Sequence, residues 1–289
     1  MMTNGKITVA TAINDAVAIL SLNKSIETPR LDAEVLLCSV LNCERISLVI
    51  NKDKELNQEV LTIFNEYINK RAKNEPVSYI IGTKEFMSLE FDVSYGILIP
   101  RPDTEVLVEE IIKRFTGKKS KILDLCTGSG AIAVSLANYI PDAEIIAVDK
   151  YDVCLKTALK NAKKHNVYDR VKVILADVLE PLEIDESFDC IVSNPPYIKS
   201  DILPTLLSDV KDYEPMYALD GGVDGLVFYK KITEYAKNKL NFGGILAFEI
   251  GYDQGEEVKA IIENTGCFKD VSVINDLAGR NRVILAEKR

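Results

Sequence analysis

From Ile7 to about Lys73 the apolar residues recur three and four positions apart: Ile13, Val17 and Leu20, then Leu31, Val35 and Leu36, then Leu61, Phe64 and Ile68. That spacing gathers apolar side chains on one face of a helix and predicts several amphipathic helices in succession, a small bundle over residues 1–75. Thr28 as N-cap with Pro29 at the first helical position starts the second helix, and Asn57, with Glu59 in the first turn, starts the last. Between Val77 and Ile99 the pattern turns β-rich. Two pieces, residues 77–81 and 85–93, parted by Gly82-Thr83-Lys84, read as a β-hairpin connector over residues 76–100. Pro100 and Pro102 then stop one element, and Asp103 or Thr104 is placed to cap a helix over residues 106–115.

Over residues 101–289 strands and helices alternate. Strand 122–125 leads to a helix from Ala131, strand 144–148 to a helix from Asp152, and strands 171–176 and 188–193 follow. This alternation predicts an α/β fold with a doubly wound, Rossmann-like sheet. Beyond a long loop come a helix over 226–240, a buried strand over 245–250, a helix over 256–264, and strands near 271–274 and 282–286. The last two are close enough to pair as an antiparallel terminal hairpin. The chain shows no internal repeat and no low-complexity segment.

Composition narrows the class. The 289 residues are 47% hydrophobic and 27% charged, which suits one large globular domain with a smaller companion. The longest apolar runs are strand-sized, far short of the roughly 20 residues that span a bilayer. Residues 1–13, with Thr3, Asn4 and Lys6, lack the apolar core of a secretory signal, so a cytoplasmic location without membrane attachment is expected. The six cysteines, at 38, 43, 126, 154, 190 and 267, are scattered and have one histidine for company, which favours free thiols and no metal. The net charge of −9 is uneven: residues 1–75 carry 9 basic and 10 acidic groups, leaving 26 and 34 for the rest. A surface that follows a phosphate backbone is usually basic, so a protein or small-molecule substrate is expected and direct nucleic-acid binding is not. A monomer is the working expectation.

The segment Asp124-Leu125-Cys126-Thr127-Gly128-Ser129-Gly130 follows a predicted strand and opens a predicted helix, where glycines let the backbone pass close to a ligand. Asp149 closes the next strand about 20 residues later, where a carboxylate can accept both hydroxyls of a ribose. Asp177 ends the third strand and is suited to an adenine amino group, with Val178 beside the ring. Gly128-x-Gly130-x-x-Ala133 also fits the dinucleotide pattern, which makes a nicotinamide-dependent dehydrogenase the rival class. Against it, the strand ends in an acid, Asp124, which resembles the methyltransferase motif and can hold the amino group of a methionine moiety. Hydride transfer also usually needs a general acid or base. The one histidine, His165, sits near a predicted helix C-terminus, where capping is its simpler role.

Asn194-Pro195-Pro196-Tyr197 follows strand 188–193 directly, at the carboxyl edge where ligands of open α/β sheets bind. Pro195 pushes Asn194 into an extended conformation, and the two prolines stiffen the turn while leaving their carbonyl oxygens free to accept. The Asn194 side-chain oxygen and the Pro195 carbonyl can each accept one N–H of a substrate NH2 group, and Tyr197 can stack on its flat face. An amide nitrogen is a poor nucleophile, so positioning and electrostatics must supply the rate. The proton can leave after attack, and no histidine base is required.

With these residues the chain resembles the HemK/PrmC family, the peptide chain release factor glutamine N5-methyltransferases, over nearly its whole length. The resembling pieces are Pro29-Arg30-Leu31-Asp32-Ala33-Glu34, the segment from Ile99 to Glu105, the loop from Asp124 to Gly130, Asn194 to Tyr197, Glu214-Pro215 with Ala218-Leu219, Gly221 to Gly225, and Glu249-Ile250-Gly251. The Asn-Pro-Pro-Tyr element is shared with enzymes that methylate adenine or guanine amino groups; the helical domain and the segment from Pro100 to Glu105 are more specific. The resemblance implies a class I methyltransferase sheet over residues 101–289; for the helical bundle of residues 1–75, substrate recognition is expected beside the alternative of a stability or dimerisation module. It also implies S-adenosylmethionine as methyl donor, held by Asp124, residues 126–130, Asp149, Asp177, Val178 and Asn194. The implied acceptor, placed by residues 194–197, is the glutamine of the Gly-Gly-Gln motif in class I release factors. A glutamine methyltransferase of a ribosomal protein and a nucleic-acid amino methyltransferase are the alternatives. Cys126 departs from the family, many of whose members carry glycine there.

Overall fold

The computed structural model of the chain describes residues 6–289. The reading of residues 1–5 as part of a leaderless N-terminus therefore lies outside the described residues. The described chain divides into two compact units, one reaching to Gly82 and including Leu206–Tyr213, the other comprising Thr83–Thr205 and Glu214–Arg289.

The first unit is helical: α1 (Val9–Leu20), α2 (Pro29–Leu41), α3 (Arg45–Ile50), α4 (Gln58–Arg71) and α5 (Val77–Ile81). Leu20, Leu36, Phe64 and Ile68, from the predicted apolar faces or beside them, are buried together with Ile80. The Asn57 side chain accepts the Val60 N–H at 2.8 Å and caps α4, as its sequence position predicts. Thr28 precedes α2 but does not cap it; its hydroxyl donates to Asp32 Oδ1 at 2.8 Å. Asp32 in turn accepts from the buried Arg71 of α4 at 2.7 Å, tying two helices of the bundle. Residues 77–81, expected as a strand, form α5. Pro76 leads into it, Ile80 joins the helical core, and Gly82 at φ 80° ends it, its N–H bonded to the Ser78 carbonyl at 2.9 Å. The short α9 (Ser208–Lys211) belongs to this unit, where the Tyr213 hydroxyl donates to the Lys73 carbonyl at 2.8 Å.

The second unit opens with a hairpin, β1 (Thr83–Phe86) and β2 (Leu89–Asp92), displaced from the expected one because residues 77–81 are helical. A 3-10 turn over Pro102–Thr104 leads into α6 (Glu105–Phe115), and neither Asp103 nor Thr104 caps it through a side chain. Then come β3 (Ser120–Leu125), α7 (Ala131–Tyr139), β4 (Ala143–Asp149), α8 (Asp152–Lys164), β5 (Val171–Leu175), β6 (Phe188–Ser193), α10 (Val227–Lys239), β7 (Leu240–Glu249), α11 (Gly255–Glu263), β8 (Phe268–Asn275) and β9 (Asn281–Lys288). The seven strands β3 to β9 form one sheet in the order β5-β4-β3-β6-β7-β9-β8, parallel from β5 to β7, with β9 antiparallel to both β7 and β8. This is the doubly wound sheet with an antiparallel end that the alternation predicts, with β9 inserted beside β7. Two apolar clusters cover its faces, one with Leu107, Ile111, Val134 and Leu136, the other with Tyr229, Ile232, Val258 and Ile262. Among the described residues no helix is long and apolar enough to cross a membrane.

Candidate active site

Because β5, β4, β3 and β6 are parallel neighbours, their carboxyl ends share one edge, and each delivers a polar side chain there. The connections beyond this edge enclose a cavity of about 350 Å³, within the range of small-molecule sites. Residues 126–129, Asp149, Asp177, Val178, Asn194 and Pro196 line it, so most residues singled out from the sequence converge. Asp124, Gly130, Pro195 and Tyr197 are not among the lining residues.

The loop after β3 turns sharply. Cys126, Gly128 and Gly130 all have positive φ, at 62°, 55° and 79°. Cys126 thus holds a left-handed backbone that costs a non-glycine residue on the order of 1–2 kcal/mol. Gly130 cannot carry a side chain: a Cβ there would lie 2.8 Å from the Ala158 Cβ and 2.9 Å from its Cα, because α8 crosses the start of α7 at this point. Asp149 Oδ2 accepts the Gly128 N–H at 2.9 Å and Oδ1 accepts the Tyr151 N–H at 3.0 Å, which ties the end of β4 to the loop and leaves each oxygen further lone pairs toward the cavity. Burial raises its pKa, partly offset by these N–H groups.

Asp124 is fully buried, and its Oδ2 accepts the Thr127 hydroxyl at 2.6 Å. Its Oδ1 has no hydrogen-bond partner. Burial pushes the carboxyl up to about 7, the Thr127 hydroxyl and the Ala133 N–H offsetting only part of the cost. A buried, underused carboxylate directly behind a glycine loop suits a cationic group. For Asp177, burial acts to raise the pKa but is outweighed by the Lys150 ammonium at 2.8 Å and by the Leu179 N–H, and the pKa is lowered.

At the end of β6, the Ser193 hydroxyl donates to the Leu125 carbonyl at 2.6 Å, anchoring the Asn194 turn to the strand that carries the loop. Asn194 Nδ2 donates to the Thr104 hydroxyl at 3.2 Å, which leaves the side-chain oxygen as its free acceptor. The Thr104 hydroxyl donates to Glu249 Oε2 at 2.5 Å, and the Tyr197 hydroxyl donates to Glu249 Oε1 at 3.3 Å. The Tyr197 ring packs, partly buried, against the core cluster. The turn is held from behind as well: a Cβ on Gly221 would fall 2.7 Å from the Tyr197 Cα and 2.9 Å from the Pro196 carbonyl oxygen.

Sequence reasoning assigned no part in the site to Thr104, Lys150, Tyr151, Tyr217 or Glu249. Tyr151 and Tyr217 stack with ring centroids 3.6 Å apart on the cavity wall, and the Tyr217 hydroxyl donates to the Gly96 carbonyl. The segments holding Thr104, Tyr217 and Glu249 do stand out in the sequence, but these contacts join residues 90 to 145 positions apart, which no local pattern reveals. His165 caps α8, its Nε2 2.9 Å from the Glu90 carbonyl, and is not among the residues lining the cavity.

Comparisons with known proteins bear on both units. Residues 11–82 match the family model described as PrmC N-terminal domain, and residues 101–205 the one described as methyltransferase small domain. A release factor glutamine methyltransferase of Clostridium botulinum is 45% identical over 266 residues, 91% of this chain and 94% of the relative. One from Moorella thermoacetica is 42% identical over 283 residues, 98% and 99% of the two chains. A crystal structure of a methyltransferase from Pyrococcus furiosus aligns with a TM-score of 0.54 at 19% identity, over 76% of this chain and 98% of that one, a likeness of fold.

Proposed function

We propose that this chain, which belongs to the release factor glutamine methyltransferase family, transfers a methyl group from S-adenosylmethionine to the side-chain amide nitrogen of the Gly-Gly-Gln glutamine in class I peptide chain release factors. The observation that carries the reading is the Asn194 carboxamide, on the wall of a nucleoside-sized cavity with its NH2 turned to Thr104 and its oxygen free to accept.

The bound cofactor supplies a methyl group on a cationic sulfur. Everything else falls to the chain. The unpartnered Asp124 Oδ1 fits the α-ammonium of a methionine moiety, Asp149 fits the ribose hydroxyls, and Asp177 with Val178 fits the adenine. Asn194 Oδ1 and the Pro195 carbonyl accept the two N–H groups of the substrate amide. Fixing both directs the nitrogen lone pair along the transfer line and raises electron density on nitrogen, the contribution positioning must make for so weak a nucleophile. The nitrogen proton leaves after attack. Tyr197 acts from behind, anchoring the turn through Glu249 and the core. The helical unit serves substrate recognition, and the protein works as a cytoplasmic monomer with no nucleic acid as acceptor.

The test is transfer of labelled methyl to purified class I release factor, with a Gln→Ala variant of the Gly-Gly-Gln motif and structured RNA as parallel acceptors. Label on the release factor that disappears in its variant is expected; label on RNA alone would move the chain to the nucleic-acid class. Asn194→Ala is expected to lower kcat by at least about 100-fold while leaving cofactor Kd within a few-fold. Equal loss of both would make Asn194 a structural residue.

A further inference from the structure

Asn194 can serve as an acceptor only if its carboxamide is held one way round. Rotated by half a turn, it would present N–H groups to the substrate N–H groups and repel them. A carboxamide on an otherwise apolar turn has no intrinsic preference, so something must choose. The end of β6 and its two prolines fix the backbone but leave the carboxamide free to rotate.

We infer that Glu249 and Thr104 are positioning residues that set the polarity of the Asn194 carboxamide: the Glu249 carboxylate takes the Thr104 hydroxyl proton, leaving the Thr104 oxygen only lone pairs to offer, so Asn194 must turn its NH2 to Thr104 and its oxygen to the substrate. The inference rests on the methyl-transfer reading above. Thr104 is 4% exposed and Glu249 1%, so the bond between them is buried. The relay draws on three distant stretches: the turn before α6, the last residue of β7, and the residue after β6. It also explains why Thr104, placed where a cap is expected, makes no cap: its hydroxyl is committed elsewhere.

The relay has a built-in polarity check, because a carboxylate can only accept whereas a carboxylic acid can donate. Facing Glu249 are Thr104 and Asp103 from the turn before α6, Tyr197 beyond β6, Arg282 on β9 and Tyr229 on α10. Arg282 also holds Asp103 and Asp276, at 3.1 and 3.2 Å. Burial pushes the Glu249 carboxyl up to about 6 against the pull of Thr104, Arg282 and Tyr197. Above that pH it accepts from Thr104. As pH falls through it, the acid form donates to the Thr104 oxygen, the hydroxyl proton is driven toward Asn194, and the carboxamide turns over.

The experiment measures kcat on release factor at saturating cofactor and acceptor, with cofactor Kd and Tm recorded for each variant. Thr104→Val keeps the shape and removes the hydroxyl; a kcat loss of roughly 100-fold is expected with cofactor Kd unchanged, whereas Thr104→Ser stays within about twofold of the parent. In Glu249→Gln the new carboxamide still offers its oxygen to Thr104 and its NH2 to the Tyr197 oxygen, and it has no proton to gain. The parent kcat should therefore fall as pH drops through about 6, and the Glu249→Gln profile should stay flat there. Full kcat in Thr104→Val, equal losses in the valine and serine variants, loss that merely follows cofactor affinity, or the same acid limb in Glu249→Gln each overturns the inference. Should Thr104→Val fail to fold, the Glu249→Gln profile decides. One readout is independent of activity: the side-chain NH2 resonances of Asn194, assigned by their absence in Asn194→Asp, should titrate with Glu249 in the parent and not in Glu249→Gln. If the parent transfers nothing to release factor, the acceptor reading fails and these resonances decide the relay alone.

Discussion

Among single residues, Asp124 carries the most informative tension. Folding lifts its carboxyl from 3.8 to about 7, so its contribution to stability is full below the ordinary carboxylate range and is lost as pH rises through about 7. Above that pH the ligand-free protein holds a charge with one oxygen unsatisfied. Asp124→Asn is therefore expected to be more stable than the parent at pH about 8, by on the order of 2–4 kcal/mol, with the gap closing toward pH about 4. Urea unfolding at the two pH values checks this. The same variant should lose cofactor affinity, and the parent's own affinity should weaken as pH falls below 7, approaching tenfold per pH unit, because binding an ammonium first requires the carboxylate. Titration calorimetry that shows pH-independent affinity would remove Asp124 from the cofactor site. The acid was legible in the sequence because it ends a strand ahead of a glycine loop. Its missing partner was not, because that depends on what packs around it. Tyr197 shows the converse: its place in the motif was plain, whereas its contact with the core and its bond to Glu249 join distant residues that no local pattern connects.

At the scale of elements, periodicity located nearly every helix and strand of the second unit, and the failures have local causes. Apart from Ser78, residues 77–81 are β-branched or aromatic, but Pro76, Gly82 and the burial of Ile80 among the other helices favour one helical turn over a strand; packing overrides a propensity worth under about 1 kcal/mol. The hairpin moves to Met87 and Ser88, whose φ values of 51° and 55° are those of a two-residue turn that normally takes Asn-Gly. The usual turn signal is absent, and tertiary bonds replace it: the Met87 N–H donates to Glu105 Oε1 and the Tyr139 hydroxyl to the Met87 carbonyl, both at 2.7 Å. Ser88 is exposed and makes no such bond in the turn, so its left-handed backbone is uncompensated. Ser88→Gly should stabilise the protein by about 0.5–1 kcal/mol, measured as a shift in urea midpoint at constant m-value. A destabilising result would mean that the serine hydroxyl supports the turn.

For the molecule as a whole, a mostly parallel sheet was legible in the sequence, but two features of connectivity were not. Pairing of the last two strands followed from their proximity in sequence, whereas insertion of β9 between β7 and β8 depends on a long-range register. A linear boundary likewise could not assign Leu206–Tyr213 to the helical unit, from which it is separated by over 120 residues. This division makes a distinctive prediction, since every residue lining the cavity lies in the second unit. Cofactor at about 100 times its Kd should stabilise the unit that binds it by about 2.7 kcal/mol. Hydrogen exchange should then slow in β3, β4 and α7 and remain unchanged in α1, α2 and α4. Adding release factor should slow exchange in the helical unit as well, if that unit recognises the substrate. Protection of the helical unit by cofactor alone would instead show that the two units share one folding equilibrium, and its absence with both ligands present would remove the helical unit from recognition and leave selection of the acceptor to the Asn194 turn.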